Sequence, residues 1–144
     1  MWFSKKAVSK TPDSNSISKQ PTKSVGDAAE AMAFKYLRDA GLIFQEANYR
    51  TPGRGGGEID LVMKDKDGTL VFIEVRQRAS TSHGGAGASI SAIKQQRLVF
   101  AARHYLMRFK TLPPCRFDVV LIQGGLGAGG EPTIEWLQSA FDAF

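Results

Sequence analysis

Two carboxylates, Asp60 and Glu74, stand in short and otherwise apolar runs, residues 58–64 (EIDLVMK) and 70–76 (LVFIEVR), joined by Asp65-Lys66-Asp67-Gly68. Both runs alternate with the two-residue period of a strand. Ile59, Leu61 and Met63 share one face of the first, and Glu58, Asp60, Val62 and Lys64 the other. Val71, Ile73 and Val75 oppose Leu70, Phe72, Glu74 and Arg76 in the second. A three-residue hairpin loop with Gly68 in the left-handed position pairs Asp65 with Thr69. Every opposed pair of residue numbers then sums to 134, which sets Asp60 against Glu74 and Glu58 against Arg76. Opposed Cβ atoms lie about 4.5–5.5 Å apart, where like charges repel. A sheet retains such a pair when a shared proton, a neighbouring cation or a divalent metal offsets the repulsion. Hard oxygen ligands favour Mg²⁺ or Mn²⁺. An ion so held beside a basic residue suits phosphodiester hydrolysis, because it polarises the phosphoryl oxygen and makes a nucleophilic water accessible near neutral pH. Glu58 with Arg76 also reads as an ordinary cross-strand ion pair.

The elements that must position this pair are legible around it. A helix opens at Ser24, with Asp27 completing a capping box, and repeats Ala29, Met32, Ala33, Tyr36, Leu37 and Ala40 at helical spacing before Gly41 stops it. Residues 42–49 read as a strand, and 51–57 (TPGRGGG) as a loop. After the hairpin, residues 78–87 form a second glycine-rich loop that contains His83. A long helix starts at Ser89 or Ser91 and runs to Arg108, with Ile93, Leu98, Ala101, Ala102 and Tyr105 or Leu106 on its buried side. Residues 117–122 make a fourth strand, 124–130 a loop, and 133–137 a last strand before a terminal helical turn. The order is α-β-β-β-α-β-β, an α/β fold with a mixed sheet flanked by helices. His104 is expected at the helix surface, Trp136 in packing, and Asp118 on a core strand without a catalytic role.

The segments GEIDLV (57–62), VFIEVRQR (71–78), KQQR (94–97) and RFDVV (116–120) resemble the YraN-like uncharacterised protein family of bacteria. The likeness extends upstream through Gly26, Glu30, Ala33, Leu37, Gly41 and Asn48-Tyr49-Arg50, and downstream to Glu135-Trp136 and Ala140-Phe141. That family is similar to the PD-(D/E)xK nuclease-like superfamily of Holliday junction resolvases and restriction endonucleases. The resemblance implies a restriction endonuclease-like αβββαβ core and metal ligation by Asp60, Glu74 and the carbonyl of Val75. It also implies a third acid, Glu30, presented from the first helix. Arg76 stands where the pattern has lysine. Arginine cannot accept a proton, so it can stabilise the phosphate bidentately but cannot serve as a base. Lys94, Gln96 and Arg78 are the candidates for contact with nucleic acid, and Lys94 and Gln96 for positioning phosphate or water. The implied function is a Mg²⁺- or Mn²⁺-dependent endonuclease acting on nucleic acid, DNA in the first instance. The alternative is an inactive nuclease-fold module that binds nucleic acid or a protein partner. Related nuclease folds often dimerise, so a homodimer is an open expectation.

Composition narrows the field. The formal net charge is +5, and residues 1–24 alone hold five lysines against Asp13, a basic tail read as disordered ahead of one domain over 25–144. Such an arm suits a polyanion. No apolar run approaches the roughly 18 residues of a membrane span, and the start lacks a signal-peptide pattern. A single cysteine, Cys115, excludes an intramolecular disulfide and fits a reducing cytoplasm.

Overall fold

The computed structural model describes residues 24–142 except Arg54, 79–89 and 125–130, and leaves out the side chains of 24–27. The basic tail up to residue 23, the Ser24–Asp27 capping contacts, His83 and most of the 124–130 loop lie outside the described residues. The chain runs α1 (Ser24–Asp39), β1 (Ile43–Arg50), β2 (Glu58–Lys64), β3 (Leu70–Arg78), α2 (Ala92–Leu106), β4 (Cys115–Gln123) and β5 (Thr133–Phe141). This is the expected α/β order, and the αβββαβ core is present within it.

The strands lie side by side in chain order. They are antiparallel except between β3 and β4, which run parallel because α2 carries the chain back across one face. The helices cover opposite faces. Ala29, Ala33 and Leu37 of α1 pack with Met63, Val71, Ile73, Val120 and Ile122. Leu98, Ala101, Ala102, Tyr105 and Leu106 of α2 pack with Val62, Leu70, Phe72, Phe117 and Val119. With both faces of β3 and β4 covered, their apolar runs are nearly continuous.

The hairpin register is as the sequence indicates. Leu61, Val62, Met63 and Lys64 pair with Ile73, Phe72, Val71 and Leu70. Asp65 N–H donates to Thr69 O at 2.8 Å, and Gly68 takes φ +91°.

Four expectations need correction. Ile93 is 64% exposed, because it falls five residues before Leu98 and so lies off the buried stripe. Tyr36 is 40% exposed on the flank of α1, where its ring meets Trp136 edge-on. No terminal helical turn forms over 138–141, and β5 continues to Phe141. Ser139 adopts φ +52° there, and its N–H donates to Asp118 Oδ1 at 2.9 Å across an irregularity between Phe117 and Val119. The chain stays extended as a result, and Phe141 stacks on Phe117 with centroids 4.8 Å apart. Asp118 is fully buried and also accepts from Arg116 Nε and Trp136 Nε1, which accounts for it as a structural residue.

The fourth difference lies at the site. Ile59 packs with Val62 on the α2 side, whereas Leu61 and Met63 lie on the α1 side. On β1, Tyr49 shares the α2-side cluster with Ile59. Ala47, by contrast, borders a groove with Leu61 and Phe34 of α1. The alternation therefore flips between the pairs Ala47↔Leu61 and Tyr49↔Ile59, where Asn48 has φ +54°. Asn is among the few non-glycine residues that enter this region readily. Asp60 lies at the flip.

Candidate active site

Pairing between β2 and β3 runs from Lys64↔Leu70 to Leu61↔Ile73, while β2 stays paired with β1 as far as Arg50↔Glu58. The two strands of the hairpin thus part just where the acids stand. Asp60 fills the gap, its Oδ2 accepting the Val75 N–H at 2.8 Å in place of a ladder bond. Glu58 follows β1 and lies 3.6 Å from Arg50 Nε, rather than opposite Arg76 as the extrapolated register has it.

Asp60 and Glu74 stand close enough that each perturbs the ionisation of the other. Glu74 is 7% exposed. Its carboxyl is pushed up to about 7, first by burial and then by the charge of Asp60, with Lys94 pulling the other way. Burial also raises Asp60, although the Val75 amide favours its charged form. The proton of the pair accordingly rests on Glu74.

Lys94 supplies the neighbouring cation, with Nζ 3.3 Å from Glu74 Oε2. It sits in the first turn of α2, and the turn is fixed by Ser91, whose Oγ accepts the Lys94 N–H at 3.1 Å. Ser91→Ala is expected to lower stability by about 1 kcal/mol in urea denaturation, the usual cost of a lost N-cap.

The glycine loop leans on the same helix. Thr51 N–H donates to Gly57 O at 3.1 Å, and Gly57 N–H donates to Thr51 Oγ1 at 2.8 Å, which closes the loop at its neck. A Cβ at Gly57 would stand 1.9 Å from Arg97 O, so only glycine lets the neck meet α2.

Of the residues expected at the site, Asp60, Glu74 and Lys94 converge, with Val75 contributing its N–H to Asp60. Arg76 and Arg78 follow on β3, half-buried, in register with Leu121 and Gln123 of β4. Glu30 lies on the other side of the sheet, in an apolar groove with Phe34, Phe44 and Leu61. Among the described residues no three His, Cys, Asp or Glu side chains group closely enough to hold a metal, so Glu30 does not extend the pair into a triad. Gln96 lines a different cleft, with Phe100 and Phe141. His104 is half-buried and bonds the Tyr49 hydroxyl through Nδ1. The role of Lys94 as partner of Glu74, and the presence of Arg97 beside the loop, were not apparent from sequence. The signal available was the position of Lys94 three residues after a capping serine, where its side chain projects from the mouth of the helix.

The oxygens present fit a hard divalent ion: a buried Glu74 carboxylate and a half-buried Asp60 carboxylate held together against their repulsion.

A three-layer α/β/α domain with an acid pair in a strand fork is the class that fold and site define. The chain belongs to the uncharacterised protein family UPF0102, whose model matches residues 29–122. It is 66% identical over 152 aligned positions to a UPF0102 protein of Polaromonas naphthalenivorans, covering 99% of both chains. It is 64% identical to one of another Polaromonas strain, again over 99% of each, and 59% identical to one of Methylibium petroleiphilum over 85% of this chain and 97% of the relative. The YraN-like resemblance is therefore upheld at the level of the family. No helix among the described residues is long and apolar enough to cross a membrane.

Proposed function

We propose that this protein is a metal-dependent phosphodiester hydrolase of the bacterial cytoplasm, a nuclease related to the PD-(D/E)xK superfamily and acting on nucleic acid, with DNA as its first candidate substrate. The observation that carries the reading is the Asp60–Glu74 pair in a strand fork, Asp60 half-buried and Glu74 buried with Lys94 Nζ at 3.3 Å. A fold does not retain two neighbouring carboxylates, one of them buried, for stability alone, since like charges raise the cost of ionisation.

Asp60, Glu74 and the Val75 carbonyl would hold Mg²⁺ or Mn²⁺, which when bound supplies Lewis acidity toward a phosphoryl oxygen and lowers the pKa of a bound water. Asp60 is aimed by the Val75 N–H, which fixes its carboxylate plane. Glu74 gives up its proton on ligation, and burial keeps bulk water from competing for its oxygens. Lys94, with its head half in solvent, is placed to neutralise charge that develops on the scissile phosphate and to orient a water. It takes over the part that Arg76 cannot play as a proton-exchanging group. Arg76, two residues beyond Glu74, retains the phosphate-stabilising role implied by the resemblance.

Branched, single-stranded and plasmid DNA incubated with the full chain in Mn²⁺ tests the reading. Cleavage that stops on adding EDTA supports it, and the absence of cleavage on every substrate contradicts it. Lys94→Ala is expected to lower kcat about tenfold, because the charge it offsets develops in the transition state.

A further inference from the structure

Beside the acid pair, the glycine loop and α2 enclose a cleft of about 530 Å³ that the proposed chemistry does not use. Arg50, Lys94 and Arg97 line it, with Glu58 as the one carboxylate among its described lining residues. We propose that this cleft is a phosphate-binding subsite that holds the sugar-phosphate backbone of a nucleic-acid strand one step from the phosphate being cut. The proposal rests on the nuclease reading above, and it names where the substrate strand runs.

Three features carry it. Lys94 belongs to both places, lining the cleft while its Nζ lies 3.3 Å from Glu74, so a strand seated at the acid pair leads directly into the cleft. The wall is pre-organised: the Thr51–Gly57 bonds close the loop, and Gly57 seats it against the backbone of Arg97. The wall is also open at two glycines. Gly53 and Gly55 have φ +84° and +68°, and a Cβ at either would meet nothing within 4 Å, so backbone faces open space there. Two arginines lining a cleft beside exposed glycine backbone match a phosphodiester, which accepts paired N–H donors and needs close approach. Arg50 is shared with Glu58 at 3.6 Å, and the cleft's one described carboxylate is thereby engaged away from Arg97. Arg97 is therefore the stronger anchor.

Binding of a fluorescein-labelled single-stranded oligodeoxynucleotide to the full chain, measured by anisotropy in EDTA over a range of salt, separates this proposal from the catalytic one. Arg97→Ala is expected to weaken binding about tenfold and to reduce the salt slope by about 0.7, the value for one lost phosphate contact on a single strand. Arg50→Ala should act in the same direction and guards against a folding defect in the first variant. Arg103→Ala removes the same charge from a part of α2 that borders other clefts, and should leave the slope unchanged. Equal losses from Arg97→Ala and Arg103→Ala would overturn the subsite, as would unchanged affinity in Arg97→Ala and Arg50→Ala or no salt-dependent binding by the unsubstituted chain. If the Arg97 effect appears but Mn²⁺ never supports cleavage, the subsite stands and the hydrolase reading falls. If cleavage occurs and Arg97→Ala changes neither affinity nor KM, the reverse holds.

Discussion

Asp60→Ala and Glu74→Ala are each expected to reduce Mn²⁺-dependent DNA cleavage by at least about 10³-fold, the scale on which a pre-organised electrostatic group contributes to a rate. Either change removes a donor from a site that has two carboxylates and no third acid grouped with them among the described residues. The double variant should lose little beyond either single one, because residues that act as a unit are not additive. Circular dichroism of the same variants should be close to that of the unsubstituted chain, since neither side chain belongs to the hydrophobic core. Cleavage that survives both substitutions would assign the activity elsewhere. Glu30→Ala serves as a contrast: it lies across the sheet in the Phe34–Phe44 groove, and its loss should leave the rate within about threefold of the original if the fork alone holds the site.

The second large effect is on stability. With divalent ions removed, Glu74 titrates at about 7 in the folded protein, against an ordinary value of 4.5 in the unfolded chain. Between those values the folded state binds the extra proton, so stability falls as pH rises through the window. The loss by pH 8 is on the order of 3 kcal/mol, from about 1.36 kcal/mol for each of the roughly 2.5 pH units that separate the folded titration from the unfolded one. Glu74→Gln keeps the shape and the hydrogen-bonding capacity of the protonated form. It should match the unsubstituted chain near pH 4.5 and exceed it by about 3 kcal/mol at pH 8, measured by urea denaturation in EDTA. Below about pH 4 both should weaken together as Asp65 protonates, because its carboxyl is held down by the Lys66 N–H and by Arg116. A difference between the two proteins that does not vary with pH would show that Glu74 is not forced toward neutrality.

Much of the fold was legible because short-range rules governed it. The Asp65–Gly68 turn sets one register, period-two alternation sets the faces next to it, and together they brought Asp60 to Glu74 from sequence. Where the inference failed, a contact distant in sequence had overridden local pattern. The β5 segment reads locally as strand and then helix, yet the Asp118 carboxylate captures the Ser139 N–H and keeps the chain extended. Asn48 reverses the faces of β1 and β2 through a left-handed backbone, which its residue type permits but does not announce. The reversal explains why extrapolating the hairpin register past Leu61 misplaced Glu58. Charge partners were least legible, because they join elements through tertiary packing. Lys94 reaches Glu74 from a different element of the fold, and Arg108, just past α2, stacks on Tyr105 at 3.7 Å and meets Glu46 at 3.4 Å. The resemblance presents Glu30 from the first helix as a third acid, but it lies on the face that α1 covers, whereas Glu74 meets α2.

Isothermal titration of Mn²⁺ into the metal-free chain at pH 6.5, repeated in buffers of different ionisation enthalpy, tests the central claim most directly. A single ion per chain is expected to bind, with release of the proton that Glu74 holds, and that binding should be lost in both Asp60→Asn and Glu74→Gln. Failure of the unsubstituted chain to bind Mn²⁺, or binding that neither substitution alters, would contradict the assignment of the acid pair as a metal site.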